Sequence, residues 1–161
     1  MEHYKKLFMS FVYAFKGIFR TIANERNLRI HLTCITYMVS ILLLTDWFVL
    51  SRTDWAVLML AGGSVIGCEI VNTAIENAVN LASEEYTEYG KIAKDAAAGA
   101  VLICAIFAVI VGLIIMFQPE AFKAMYQYFT ANPLMFAVAV ISLIPATLFI
   151  FFGVPTKKGK K

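Results

Sequence analysis

The sequence predicts an all-α integral membrane protein: an interfacial N-terminal amphipathic helix, three transmembrane helices, and a fourth transmembrane helix at the C-terminus. Three observations carry this reading. Hydrophobic residues make up 60% of the 161, and the mean hydropathy is +0.74. Only 16% are charged, against about 25% in an ordinary soluble domain. Four apolar runs, at approximately 30–50, 55–75, 96–117 and 133–152, match the roughly 20 residues that a helix needs to cross a bilayer. The first residues lack the compact apolar core and small-residue cleavage site of a signal peptide, so none is expected.

Residues 2–25 form the first element. Leu7, Phe8, Phe11, Val12, Phe15, Ile18, Phe19 and Ile22 recur in steps of three and four, while Lys6, Lys16, Arg20 and Asn24 lie off that stripe. An aromatic-rich face opposite a basic one suits a helix lying in the membrane interface. The polar run from Asn24 to His31 then leads into the first span. Trp47 and Trp55 bracket the next turn, as an aromatic belt would. Gly62, Gly63 and Gly67 make the second span narrow, which suits close helix approach. Residues 83–95 form a polar connection, Lys94 and Asp95 open the third span, and Ala96, Ala97, Ala98, Gly99 and Ala100 continue it with small side chains. Residues 118–132 form a connection with a short amphipathic stretch. The fourth span carries Pro145, where a kink is expected. Cys34, Cys68 and Cys104 are odd in number, have no metal-like spacing, and read as small buried apolar residues.

Charge gives the topology. Of the 14 Lys and Arg, six precede the first span, two separate the second from the third, and four end the chain. Arg52 and Lys123 fall in the other connections. The positive-inside rule then places both termini in the cytoplasm. The net charge of +3 is accounted for by anionic lipid at the inner leaflet, and no nucleic-acid partner is expected.

The chemistry concentrates in the second span. Glu69, Asn72, Glu76 and Asn80 are spaced i, i+3, i+7, i+11, one stripe of a single helix. A carboxylate within a span costs roughly 2.5–3.5 kcal/mol, so two on one stripe read as a working site facing protein or water. Glu69 lies about 9 Å inside the apolar boundary near Ile75, within reach of the bilayer; Glu76 lies at the interface. With Glu25, Glu85, Lys94 and Asp95 on the same side, the set can hold a hard divalent cation such as Mg²⁺, a phosphate, and an alcohol to be deprotonated. Those are the parts of phosphoryl transfer. No Gly-rich phosphate loop is present. His3 and His31 are read as interfacial and given no role.

The segment Glu69-Ile-Val-Asn-Thr-Ala-Ile-Glu76 closely resembles the signature of the prokaryotic diacylglycerol kinase family. The likeness extends through Ala14–Gly17, Asn24–Asn27, Glu85-Tyr86, Ala93-Lys94-Asp95 and the run from Ala97 to Leu102, over roughly residues 10–117. The run from Glu25 to His31 is more like the Gram-positive, undecaprenol kinase branch. The resemblance implies a homotrimeric ATP- and Mg²⁺-dependent kinase of a membrane lipid alcohol, undecaprenol before diacylglycerol, with sites between protomers. It implies Glu69 as the base, supported by Asn72; Glu25 and Glu76 as metal ligands; Lys94 and Asp95 on the nucleotide phosphates; and Tyr13, Glu85 and Tyr86 completing the nucleotide pocket. Asn80 departs from the Asp common in the family. Residues 1–117 would be the kinase body and 118–161 an extension with a fourth span and a Lys-rich cytoplasmic tail. The competing readings are a small cation- or proton-coupled transporter using the buried carboxylates and a non-enzymatic membrane scaffold. The Lys94-Asp95 pair and the lack of an inverted repeat favour the kinase.

Overall fold

The structure, a computed structural model, describes residues 2–82, 85 and 87–153. Among the described residues there are six helices and no strand: α1 (Glu2–Asn24), α2 (Arg26–Leu44), α3 (Arg52–Ala82), α4 (Glu88–Met116), α5 (Pro119–Ala131) and α6 (Pro133–Phe152). Four of them, α2, α3, α4 and α6, are long and apolar enough to cross a membrane.

α1 and α2 are nearly continuous in sequence. They are separated by one extended residue, Glu25, at φ −99° and ψ 113°, whose side chain does not cap the helix it precedes. α3 and α4 have 31 and 29 residues, so they are about 46 and 43 Å long against a hydrocarbon core of about 30 Å. Their excess length carries the polar ends of both helices out of the apolar layer.

α4 begins earlier than the hydropathy suggests. Thr87 caps it by accepting from the Gly90 N–H at 3.1 Å, and Glu88 supplies a negative charge to the first turn, where the helix dipole favours it. Lys94 and Asp95 therefore lie in the second turn, and the connection from α3 is correspondingly shorter than 83–95. Of the small residues in α3, Gly62 makes the close approach: a Cβ there would sit 3.1 Å from Ile35 Cδ1 on α2, whereas Gly63 and Gly67 face open space within the protomer. The core is thin. Leu28, Leu42, Leu58, Val65, Ala97, Val101 and Ala121 are its buried apolar residues, and most remaining apolar side chains face outward, as in a protein whose solvent is lipid.

The connection at the far end folds into α5. Gln118 donates to the Val49 carbonyl and accepts from the Val49 N–H, both at 3.1 Å. Trp47 packs edge-on against Tyr128 and Phe129. α6 then returns along α2, with the Tyr37 hydroxyl donating to the Ser142 carbonyl at 2.7 Å, and runs as one helix through Pro145. The C-terminal end of α6 thus lies at the same end of the molecule as the α1–α2 junction. Residues 154–161, including the Lys-rich tail, lie outside the described residues.

Candidate active site

Glu69 is the centre of the site. It sits on α3 with only 3% of its surface exposed, a burial that an unsatisfied carboxylate could not sustain without strong compensation. Its Oε1 lies 3.5 Å from His31 Nε2 on α2. One turn on, Thr73 is buried and its hydroxyl donates to the Glu69 carbonyl at 3.0 Å, so no polar group is wasted on that side of the helix.

Asn72 and Glu76 extend the stripe. The Asn72 Nδ2 donates to Glu76 Oε1 at 3.0 Å, the i,i+4 geometry of a helix. Asn72 Oδ1 is buried and has no partner among the described residues. A buried acceptor in that state costs about 1–3 kcal/mol. Glu76 shares α3 with Glu69, and Glu25 stands between α1 and α2, both of which pack on α3.

A cleft of about 240 Å³ opens at Glu69. Asn27, Ile30 and His31 of α2, Glu69 and Asn72 of α3, and Ala98, Val101, Leu102 and Ala105 of α4 line it. Its polar residues lie toward the α1–α2 junction and its apolar wall is supplied by α4. That is the shape required to seat an alcohol whose hydroxyl is polar and whose tail is not.

At the outer end of the stripe, Lys94 Nζ donates to Asn80 Oδ1 at 2.7 Å. The Lys94 ammonium is thereby held on the Glu76 side of α3, and Asn80 supplies by its amide oxygen what an Asp would supply by charge.

The remaining expected residues are placed less closely. Tyr13 is exposed on α1 and lines a separate groove with Glu2, Lys5, Lys6 and Met9. Asp95 and Glu85 are exposed. Tyr86 lies outside the described residues. Within one protomer the structure therefore unites Glu69, Asn72 and Glu76, sets Glu25 and Lys94 nearby, and leaves Tyr13 apart. Sequence reasoning missed Asn27 and His31. Their signal was available: with Ile30 they follow the three- and four-residue steps of one helical face.

A nearly buried carboxylate at the head of a cleft with an apolar wall suits a membrane-embedded enzyme that acts on an alcohol. Comparison with known proteins leads to the same class. A family model for prokaryotic diacylglycerol kinase matches residues 12–116, and the chain belongs to that family. Among its relatives, an undecaprenol kinase from Bacillus subtilis is 37% identical over 115 residues, covering 71% of this chain and 90% of the relative. A diacylglycerol kinase from Synechocystis sp. is 42% identical over 115 residues, covering 70% of this chain and 63% of the relative. The family match ends on the last residue of α4, so α5 and α6 lie beyond it. Membership of a kinase family sets aside the transporter and scaffold readings.

Proposed function

We propose that this protein transfers the γ-phosphoryl group of ATP to the hydroxyl of a membrane lipid alcohol at the cytoplasmic face of a bacterial inner membrane, with undecaprenol the favoured acceptor and diacylglycerol the next. The observation that carries the reading is Glu69, 3% exposed at the head of the cleft with an apolar wall. In this scheme the lipid tail lies along Val101, Leu102 and Ala105, which brings the hydroxyl to Glu69. Glu69 takes the hydroxyl proton as the oxygen forms a bond to the γ-phosphorus; the bond to the β–γ bridging oxygen breaks and ADP leaves. His31, at 3.5 Å, orients the Glu69 carboxyl. Lys94, aimed by Asn80, meets the phosphates with Asp95, Glu85, Tyr86 and Tyr13 around the nucleotide.

Glu25 and Glu76 are the residues that would hold Mg²⁺. Among the described residues no group of three metal-ligating side chains converges. Mg²⁺ commonly binds through one or two carboxylates plus substrate phosphates, so this donor set fits, and the Asn72 amide that donates to Glu76 carries a further, unpartnered oxygen. When bound, the ion supplies charge neutralisation for the transferring phosphoryl group.

The charge distribution supports cytoplasmic termini and contact with anionic lipid. The family resemblance supports a homotrimer, and the exposed positions of Tyr13 and Asp95 leave both able to face a neighbouring protomer that would complete the nucleotide pocket. The boundary of the family match supports a kinase body at 1–117 and an extension at 118–161.

The preference for undecaprenol rests on the run from Glu25 to His31 and on the undecaprenol kinase relative, of which the chain covers 90%. An apolar wall discriminates weakly between acyl and prenyl tails, by roughly 10–200-fold per methylene-sized feature at most. The test is direct: purified protein is given Mg·ATP and a panel of lipid alcohols, and the phosphorylated product is identified. Phosphorylation of undecaprenol above diacylglycerol is expected. Phosphorylation of neither overturns the assignment.

A further inference from the structure

Arg29 is 5% exposed and lies at the start of α2, four residues after Glu25, the extended residue that precedes the helix. It does not pair with Glu25. Among the described residues, Arg29 makes no ion pair; it donates to three main-chain carbonyls instead. Nη1 reaches Ile22 and Ala23 at 3.0 and 2.9 Å, and Nε reaches Ile150 at 3.0 Å. These acceptors belong to the last turns of α1 and α6, where carbonyls lack helical partners and the helix dipole is negative. One guanidinium therefore closes two helix ends, and one of them lies 121 residues away in the chain.

Gly153 completes the arrangement. It follows α6 at φ +66°, and a Cβ there would lie 2.9 Å from Arg29 Nη1 and 3.1 Å from the Ala23 carbonyl oxygen. The residue after α6 must be small for Arg29 to stay where it is.

We infer that the C-terminal span is a positioning element for the nucleotide site: by holding Arg29 in a cage of carbonyls, α6 and Gly153 keep its charge away from Glu25 and leave that carboxylate free for Mg·ATP. The inference rests on the reading of Glu25 as a ligand of metal and nucleotide. Arg29 acts through Glu25 and is a positioning residue, not a catalytic one. A guanidinium released from the cage has the carboxylate of Glu25, the extended residue before α2, only four positions away in the chain, and an ion pair there competes with the metal.

The test is a set of full-length variants in detergent. Binding of Mg²⁺ with a non-hydrolysable ATP analogue is measured by calorimetry, beside KM for Mg·ATP, kcat and oligomeric state. Gly153→Ala and Gly153→Asn both crowd the cage; φ 66° with ψ −158° is also a backbone conformation that essentially only Gly adopts, so adding Arg29→Gln, which relieves the crowding and not the strain, separates the two. Both are expected to weaken analogue binding and raise the nucleotide KM roughly tenfold, within the ~10²-fold range that misplaced groups produce, while kcat at saturation and the lipid KM hold. Adding Arg29→Gln to Gly153→Ala removes the competing charge and is expected to restore affinity. In a Glu25→Gln background, Gly153→Ala is expected to weaken affinity no further, because the two changes act through one group. Tyr37→Phe, which loosens α6 in mid-span without touching Arg29, is expected to leave nucleotide affinity unchanged.

A double variant no better than Gly153→Ala overturns the inference and makes the cage merely structural. So does a Gly153 effect that persists without Glu25, or unchanged nucleotide affinity in both Gly153 variants. If Glu25→Gln alone leaves affinity intact, the failure lies in the assignment of Glu25 to the nucleotide site, and the inference falls with it.

Discussion

α3 and α6 are both apolar helices of membrane-spanning length, yet they spend their polar groups in opposite ways. α3 buries Glu69 and Thr73 and carries Asn72, Glu76 and Asn80 on the same stripe. α6 has the higher hydropathy, 2.5 against 1.5, and none of its described residues is buried. Its polar ties to the body are the Ser142 and Ile150 carbonyls, which accept from Tyr37 and Arg29, and the Ser142 hydroxyl, 2.9 Å from that of Tyr37. A carboxylate held inside a span costs a few kcal/mol and is a candidate for function. A helix that offers carbonyls and one hydroxyl, and no charge, is suited to support. The family match obeys the same division, ending on the last residue of α4.

The largest test of that contrast is Glu69→Gln. A positioned base contributes roughly 10²–10⁴-fold, so kcat is expected to fall by that factor while nucleotide binding and oligomeric state hold. Gln keeps the shape and removes the proton acceptor. Near-normal turnover would take Glu69 out of the base role.

Next in size are Glu76→Gln and Glu25→Gln. Each removes a charged ligand from the proposed metal–nucleotide position, worth about 1.5–3 kcal/mol, or roughly ten- to hundredfold in affinity. The expected signature is a raised KM for Mg·ATP, partly recovered by high Mg²⁺, with the lipid KM unchanged. Unchanged nucleotide affinity with a lost chemical step would move both residues into the catalytic step and blur the line between them and Glu69.

Removing the C-terminal helix sharpens the comparison from the other side. A chain ending after α5 keeps every residue placed in the site and should remain an active kinase. It loses the Ile150 carbonyl that holds Arg29, so its nucleotide KM is expected to rise roughly tenfold, as a misplaced ligand allows. The measurement is lipid-kinase kinetics and oligomeric state of the truncated protein. Complete loss of turnover with the oligomeric state unchanged would place α6 inside the active site.

Much of this was legible in the sequence because hydropathy and helical period are local. The four spans, the N-terminal helix and the stripe from Glu69 to Asn80 needed only composition and spacing. The start of α4 was not legible, because Thr87 and Glu88 act through capping and not through hydropathy, and they move the helix start ahead of Lys94. His31 passed for an interfacial residue because its partner, Glu69, lies on another helix. Arg29 was counted as one more cytoplasmic charge, since its third acceptor lies 121 positions later and is a main-chain oxygen that no side-chain pattern announces. Tyr13 was assigned from family resemblance, and the single protomer leaves it in a groove of its own.

The smallest expected effect belongs to Asn80→Asp, which restores the family's commoner residue. Lys94 Nζ already donates to Asn80 Oδ1 at 2.7 Å on an exposed part of α3, so the geometry exists without the charge. An exposed ion pair adds only about 0.2–1 kcal/mol, or at most roughly fivefold in any affinity that depends on it. Two consequences of the added charge oppose each other. Asp holds the ammonium more firmly in place, and it also sets a negative charge beside incoming phosphates. The net change in nucleotide KM is therefore expected to be no more than a few-fold, and to shrink further as salt is raised, since exposed charges about a Debye length apart, ~8 Å at physiological ionic strength, are largely screened. Steady-state kinetics of Asn80→Asp at low and high salt measure both. A change of a hundredfold, or one indifferent to salt, would mean that Asn80 touches the substrate itself, and that the working stripe of α3 extends a full turn beyond Glu76.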